Sequence, residues 1–163
     1  MKLTTKGRYA VQAMSDIAAY GDGRSIPASE IAVRQAISPD YLDQILSKLR
    51  RAGLVQSVRG ANGGYGLARA ADEIRIADIV AAVDEEIKTT ACAPGADVGC
   101  RGGSARCLTH DLWDELGRQI EIFLNAITLE DVVARRVLGA ASVNPPRQPE
   151  TRLAAEDLAE LDA

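Results

Sequence analysis

The residues of this chain that could bind a soft metal all lie within one short segment. The three cysteines are Cys92, Cys100 and Cys107, and the only histidine, His110, follows the last of them after two residues. Three thiolates and an imidazole are ligands for zinc or for an iron–sulfur cluster. Because an odd number of cysteines is a poor disulfide framework, this grouping predicts a metal site.

The ligand spacing bears on which metal is bound. Zinc fingers favour close Cys-x2–4-Cys pairs, whereas Cys92, Cys100 and Cys107 are wider apart, as four ligands that wrap around two irons would be. Residues 91–106 contain one proline and several glycines without periodicity, which predicts a flexible loop. On spacing alone, structural zinc and three unligated thiols beside a surface histidine stay open as alternatives.

Catalytic chemistry finds little support in the sequence. Cys107 and His110 are neighbours three positions apart, without an evident third group of the kind that a nucleophilic pair needs. The carboxylate run Asp84-Glu85-Glu86 ends a predicted helix and is expected to be solvated. We therefore expect that the protein is not an enzyme.

The charge of the chain is unevenly distributed. Residues 1–70 carry ten Lys/Arg against five Asp/Glu, a net of +5, whereas residues 71–163 carry nine against eighteen, a net of −9. A basic first part can attract a polyanion even though the whole chain has a net charge of −4. The charge distribution therefore suggests nucleic-acid binding but does not establish it.

Three helices are predicted in the basic part, residues 1–70. Apolar spacing predicts a first helix from Thr5 to about Tyr20 and a short second helix from about Ala28 to Gln35. Ser38-Pro39 is typical of a helix start and Gly53 of a helix end, which predicts a third helix over residues 39–51. Two short helices joined by a tight turn predict a helix-turn-helix at about 28–51.

A β-hairpin is predicted directly after these helices. Residues 54–58 and 65–69 read as strands, and the Asn-Gly and Gly-Gly pairs between them permit a tight turn. A helix-turn-helix followed by this wing, residues 54–69, is a winged helix, so the predicted fold class is mostly α with a small β-hairpin wing. The glycine-rich turn lacks the ending of a P-loop and a complete dinucleotide fingerprint, which excludes those nucleotide sites.

The third helix is the candidate recognition helix, since a major groove admits one α-helix. Glutamine can bond an adenine edge there, and Lys and Arg suit phosphates. Arg59 and Gly60 would lie in the wing, where an arginine can reach the minor groove. The candidate DNA-binding residues are Asp40, Tyr41, Asp43, Gln44, Ser47, Lys48, Arg51, Arg59 and Gly60.

The acidic part contains a second helical region. A short helix is predicted over residues 76–83, a long one from Thr109 to about Asn125, and a last one from Thr128 to roughly Leu138. The long helix carries an apolar stripe that could close the core or pair with a second copy, and we expect a homodimer. The stripe contains Leu112, Leu116, Ile120, Phe123 and Ile127. The predicted divisions are residues 1–70 for DNA binding, 71–138 for the metal loop (91–110) and dimerisation, and 139–163 as a flexible tail.

Neither a membrane nor an export function is indicated. The chain has no apolar run of the length that a membrane span needs, and Gln12, Ser15 and Asp16 interrupt any signal-peptide segment near the start. We expect a cytoplasmic protein that does not bind a membrane.

Several segments together resemble the IscR-like iron–sulfur cluster regulators, within the wider family of winged-helix regulators that includes NsrR, RirA and CymR. The resemblance runs from Met1 to about Leu138. It is carried by Leu3-Thr4-Thr5-Lys6-Gly7-Arg8-Tyr9-Ala10, Ile37-Ser38-Pro39-Asp40-Tyr41-Leu42, Gly53-Leu54-Val55, Ser57-Val58-Arg59-Gly60, Cys107-Leu108-Thr109-His110 and Phe123-Leu124-Asn125-Ala126-Ile127-Thr128-Leu129.

The resemblance implies a cofactor and a ligand set. IscR-like proteins hold a [2Fe–2S] cluster with three cysteines and one histidine, which correspond here to Cys92, Cys100, Cys107 and His110. The usual spacing in the family is x5, x5, x2, so this loop is longer by two residues and then by one. NsrR has an acidic residue where this chain has Arg8, and RirA-like regulators lack the histidine that His110 supplies.

The resemblance also implies a function. Asp40, Tyr41 and Gln44 correspond to base-reading positions, and Asp43 to a glutamate that helps the family distinguish two classes of DNA site. The implied protein is a homodimeric regulator of cluster-assembly operons that represses when loaded with the cluster, with operator DNA and cluster-assembly scaffold proteins as partners. The alternatives are a general iron or redox regulator of the RirA or NsrR kind, and an electron-transfer or cluster-carrier protein.

Overall fold

Helix α1, Thr5–Tyr20, forms the centre of the fold in a computed structural model that describes residues 5–60, 63–84, 89 and 107–137. Its apolar face, made of Ala10, Ala13, Met14 and Ile17, is almost completely buried. This face contacts α2, α3, α4 and α6, so one amphipathic helix organises most of the core. The helix predicted from Thr5 to Tyr20 is confirmed.

Helices α2, Ala28–Gln35, and α3, Pro39–Arg51, form the predicted helix-turn-helix. The turn between them is tight because Ala36 adopts a left-handed conformation with φ of 53°. Ser38 is the N-cap residue of α3 with Pro39 at the first helical position, but the Ser38 side chain makes no capping hydrogen bond. Proline at that position therefore starts the helix without help from the serine hydroxyl.

The end of α3 turns the chain into the wing. Gly53 has φ of 69°, a conformation that favours glycine, and its N–H donates to the carbonyl of Arg50 at 3.0 Å. The N–H of Leu54 donates to the carbonyl of Leu49 at 3.0 Å, which completes a Schellman motif. The helix end predicted at Gly53 is confirmed.

The wing consists of β1, Val55–Val58, and β2, Gly64–Leu67, paired antiparallel with Val55 opposite Leu67. Both strands are shorter than predicted, since the ladder ends where Leu67 pairs with Val55. Ile26 and Tyr65 exchange backbone hydrogen bonds of 2.9 and 2.8 Å, which attach β2 to the segment before α2. The turn residues 61 and 62 lie outside the described residues.

Helix α4, Ile76–Ala82, packs between α1 and α5, His110–Ala126. Backbone hydrogen bonds join the segments before α4 and α6: Ile76 N–H donates to Ile127 at 3.0 Å, and Leu129 N–H to Ile74 at 2.8 Å. Ile127 is buried in the core beyond the end of α5, so it does not extend the apolar stripe of that helix as predicted.

The last helix is shorter than predicted. Helix α6 spans Leu129–Val133, because Arg135 adopts a left-handed φ of 57° that ends it well before Leu138. Its start is well capped, since Thr128 Oγ1 accepts from the N–H of Asp131 at 3.0 Å. None of the helices among the described residues is long and apolar enough to cross a membrane.

Candidate DNA-binding surface and metal site

Helix α3 presents a polar face to solvent because its four apolar side chains point into the core. Leu42, Ile45, Leu46 and Leu49 have no exposed surface, and burial of each typically stabilises a fold by about 1.5–3 kcal/mol. The helix therefore cannot rotate without losing core contacts. Of the predicted DNA-binding residues, it exposes Asp40, Asp43, Gln44 and Arg51, and it leaves Tyr41, Ser47 and Lys48 half-buried.

Tyr41 is held by a neighbour on α1. Its ring packs edge-to-face against the ring of Tyr9, with centroids 5.9 Å apart and an angle of 76° between the planes. Both rings contact the core. The ring of Tyr41 is thus part of the packing between α1 and α3, which fixes where its side chain lies on α3.

Lys48 is paired with Asp84, which is exposed as the sequence predicted but has a partner that the sequence did not indicate. Its ammonium forms an ion pair with the carboxylate of Asp84, which follows the end of α4. The hydrogen bond from Lys48 lowers the pKa of Asp84, and the positive charges of Lys6 and Arg51 act in the same direction. The same contact raises the pKa of Lys48. The Asp84 carboxylate therefore lies beside a cationic group made of α1 and α3 side chains.

The wing extends from the end of α3 with its tip exposed. Arg59 and Gly60 are both exposed, and Gly60 has φ of 114°, a conformation that L side chains rarely adopt. The N–H of Gly63 donates to the carbonyl of Gly60 at 2.9 Å, so the tip closes on itself. Arg50 Nη1 donates to Ser57 Oγ at 3.3 Å, which joins α3 to β1.

A partly buried ion pair joins α1 to α2 of the helix-turn-helix. The Asp16 carboxylate, 1% exposed, accepts from Arg34 Nη2 at 2.8 Å, from Arg34 Nε at 3.0 Å and from Gln35 Nε2 at 2.8 Å. Arg34 also pairs with Glu30 and stacks over the ring of Tyr20, 4.8 Å from its centroid. Hydrogen bonds to Asp16 and then Glu30 raise the pKa of Arg34. The sequence interpretation missed this pair, although an aspartate next to the buried Ile17 was a signal.

Two of the four predicted metal ligands lie within the described residues. Cys107 precedes α5, and His110, only 8% exposed, is the first residue of that helix. The N–H of His110 donates to the carbonyl of Cys107 at 2.9 Å, and Cys107 Sγ lies 3.6 Å from Thr109 Oγ1. Cys92 and Cys100 lie outside the described residues.

The thiol of Cys107 and the imidazole of His110 are donor types that fit an iron–sulfur cluster. Cys107 lies in the turn just before α5 and His110 is the first residue of that helix, whose N-terminal amides favour anionic groups. Within residues 5–60, 63–84, 89 and 107–137, no group of three or more His, Cys, Asp or Glu side chains could hold a metal ion. Cys107 and His110 would therefore supply half of a site that needs further ligands from elsewhere in the chain.

Helix α5 leaves part of its apolar stripe exposed. Only His110 and Gly117 are buried among its 17 residues. Leu112 is 62% exposed and Phe123 37% exposed, while Leu116 and Ile120 are half-buried. Trp113 adds a ring that is 45% exposed. A helix with this much exposed apolar surface is typical of an interaction surface.

Comparison with known proteins places the chain among bacterial regulators. Residues 3–135 match the family Rrf2, described as "Iron-dependent Transcriptional regulator". The HTH-type transcriptional regulator IscR of Vibrio atlanticus (strain LGP32) is 51% identical over 82% of this chain and 75% of its own length. The regulator of the same name from Pectobacterium carotovorum is 50% identical, over 82% of this chain and 79% of its own.

Solved structures agree with this relationship. T. potens IscR superimposes with a TM-score of 0.67 and 36% identity, over 83% of this chain and 88% of that one. CymR, the global cysteine regulator of B. subtilis, superimposes with a TM-score of 0.70 and 30% identity, over 83% and 98%. The fold is thus the winged helix that the sequence predicted. The chain belongs to the Rrf2 family of iron-dependent transcriptional regulators.

Proposed function

We propose that this regulator binds operator DNA as a homodimer and senses iron–sulfur cluster status through a [2Fe–2S] cluster. The ligands would be Cys92, Cys100, Cys107 and His110, and the targets would be cluster-assembly operons that the cluster-loaded form represses. The observation that carries the proposal is the buried His110 beside Cys107 at the start of α5, in a chain of an iron-dependent family.

The surface of α3 supports the DNA part of the proposal. Gln44 is exposed in the middle of the recognition helix, where it could bond an adenine edge. Arg51 at the end of the helix and Arg59 in the wing are exposed cations that suit phosphates and the minor groove. Asp40 and Asp43 add negative charge to the same face, which would disfavour many duplexes and so narrow the set of sites.

The position of His110 supports a role as the weakest and most adjustable ligand. An imidazole must be neutral to bind a metal, whereas a thiolate is a stronger iron ligand. Burial of His110 within the first turn of α5 restricts its ring, and the hydrogen bond to the carbonyl of Cys107 fixes the spacing of the two ligands. When bound, the cluster would supply a redox- and iron-sensitive link between these residues and the two further ligands, Cys92 and Cys100.

The exposed stripe of α5 supports dimerisation. Leu112, Leu116, Ile120 and Phe123 share one face, and α5 packs within the monomer chiefly against α4. A second copy would cover this apolar face. Two recognition helices in a symmetric dimer would read half-sites about 34 Å apart, one duplex turn.

The proposal is tested by anaerobic purification, with iron and sulfide analysis, visible absorption and duplex binding at one fixed salt concentration. We expect about two irons and two sulfides per chain, as the proposed cluster contains. The Cys107→Ala variant should lose the cluster and change which duplexes are bound. Zinc without sulfide would indicate a structural metal site instead. A cluster in a protein without salt-sensitive duplex binding would indicate an electron carrier.

A further inference from the structure

Lys48 lies in the last turn of α3, the proposed recognition helix, and its charge already has an intramolecular partner. The Asp84 carboxylate contacts the Lys48 ammonium and lies near the charges of Lys6 and Arg51. Lys48 is 24% exposed and Asp84 76% exposed, so this ion pair lies at the surface, where a DNA phosphate could reach it. Asp84 therefore occupies, on a DNA-binding face, the kind of position that a phosphate oxygen would take.

The ion pair is poorly suited to a purely structural role. Pairs of this kind on the surface contribute little to folding, because water and salt screen them and two long side chains must be ordered. The backbone of α3 and α4 is fixed independently by buried residues such as Leu49 and Ile79. A role in stability would thus not explain why a carboxylate faces this group of cations.

We propose that Asp84 limits DNA affinity by competing with a backbone phosphate for Lys48. In the free protein Asp84 neutralises this cation, and duplex binding must displace the carboxylate before Lys48 can contact a phosphate. The cost falls equally on random duplexes and on operators, and an operator that also bonds Gln44 has further binding energy to offset it. Asp84 thereby lowers the affinity for every duplex without changing the ratio of specific to non-specific binding. This inference rests on the proposed role of α3 in DNA binding.

The test variant removes the charge and leaves the backbone undisturbed. Asp84 has φ of 56°, a left-handed conformation that asparagine tolerates well. Asp84→Asn should therefore fold as the wild type does. The matched control is Asp72→Asn, which makes the same change in net charge at an exposed position in the turn before α4.

The measurement is the affinity of the full chain for a random-sequence duplex across a salt series. D84N should bind about three- to tenfold more tightly than D72N at 50 mM salt, with a salt slope steeper by about one unit per engaged subunit. Its advantage should shrink about threefold per engaged subunit between 50 and 200 mM salt. Adding Lys48→Gln to D84N should abolish the gain, because the released cation is then absent.

The outcomes separate this inference from the function on which it rests. If the wild type shows no salt-sensitive duplex binding, the proposed function fails. If the wild type binds but D84N and D72N behave alike, the competition by Asp84 is wrong. A gain in D84N that persists with K48Q would also overturn it, because the effect would then not pass through Lys48.

Discussion

The side chain of Thr89 lies directly against Gly117 on helix α5. A Cβ atom at Gly117 would lie 2.5 Å from Thr89 Oγ1 and 3.5 Å from Thr89 Cγ2. Gly117 and His110 are the two buried residues of that helix. Thr89 comes three residues before Cys92 in the chain. The contact therefore places Thr89 against the helix that carries His110.

This contact gives two opposite expectations for Gly117→Ala. Alanine in an exposed helix would stabilise it by about 1 kcal/mol over glycine. Because the methyl group collides with Thr89, we expect destabilisation of about 1–3 kcal/mol instead, together with less iron per chain. Urea unfolding and iron analysis of anaerobic protein measure both effects. Thr89→Ala should restore iron binding in the double variant, and a stabilised, fully loaded G117A would contradict the role of this contact.

The buried Asp16 carboxylate predicts a large loss of stability on Asp16→Asn. Asparagine keeps the shape but removes the charge that faces Arg34 and directs an amide group toward Gln35 or Arg34 donors. The expected loss in the free energy of unfolding is on the order of 2–3 kcal/mol, since the pair is only partly desolvated. Denaturant unfolding measures it. Glu30→Gln is the matched control at the same arginine, and an equal loss there would show that burial of Asp16 is unimportant.

Local signals in the sequence predict the first three helices closely because each boundary has its own chemistry. Pro39 starts α3 and Gly53 ends it, and both effects act within one turn of the helix. The end of α6 was not predicted, because Arg135 carries no local signal for the left-handed conformation that stops the helix. Helix ends marked by proline or glycine can therefore be predicted from sequence, whereas an end set by a left-handed conformation of an ordinary residue cannot.

The candidate site was predictable only in part, because local sequence signals do not reveal contacts between distant elements. The recognition face follows from the period of Leu42, Ile45, Leu46 and Leu49, so its polar residues could be named in advance. The partner of Lys48 lies 36 residues away, and no periodic pattern connects the two positions. Contacts between distant elements, such as this ion pair, depend on how α3 packs against α4.

Base reading by Gln44 predicts a loss of specificity rather than of affinity in general. Gln44→Ala should weaken operator binding by about 1–3 kcal/mol and leave a random duplex unaffected. Arg51→Ala is the comparison, since removing a phosphate contact should weaken both duplexes and flatten the salt slope by about one unit. Competition binding at fixed salt distinguishes the two patterns. Equal weakening of both duplexes by Q44A would remove Gln44 from the base-reading set.

The cap of α6 predicts an acid-dependent stability. The Thr128 hydroxyl and N–H donate to Asp131 at 2.6 and 3.1 Å and lower its pKa below the usual 3.8. A pKa that is lower in the folded state stabilises the protein above the unfolded value, and this contribution is lost as the pH falls through the folded value. Asp131→Asn removes this contribution. The free energy of unfolding of the variant should therefore fall less steeply than that of the wild type between about pH 5 and 2. An unchanged pH profile would mean that the cap does not titrate.

The exposed stripe of α5 predicts a dimer that depends on its apolar centre. Phe123→Glu places a charge within the proposed interface, where hot-spot residues typically contribute about 2 kcal/mol or more. The dimer dissociation constant should therefore rise at least roughly 30-fold. Val33→Glu is the control, because Val33 is an apolar residue on α2 that is 82% exposed and lies away from α5 in the helix-turn-helix. Sedimentation at micromolar concentration should show a monomer for F123E and a dimer for V33E. A wild-type protein that is monomeric and still binds an operator normally would refute the proposed dimer.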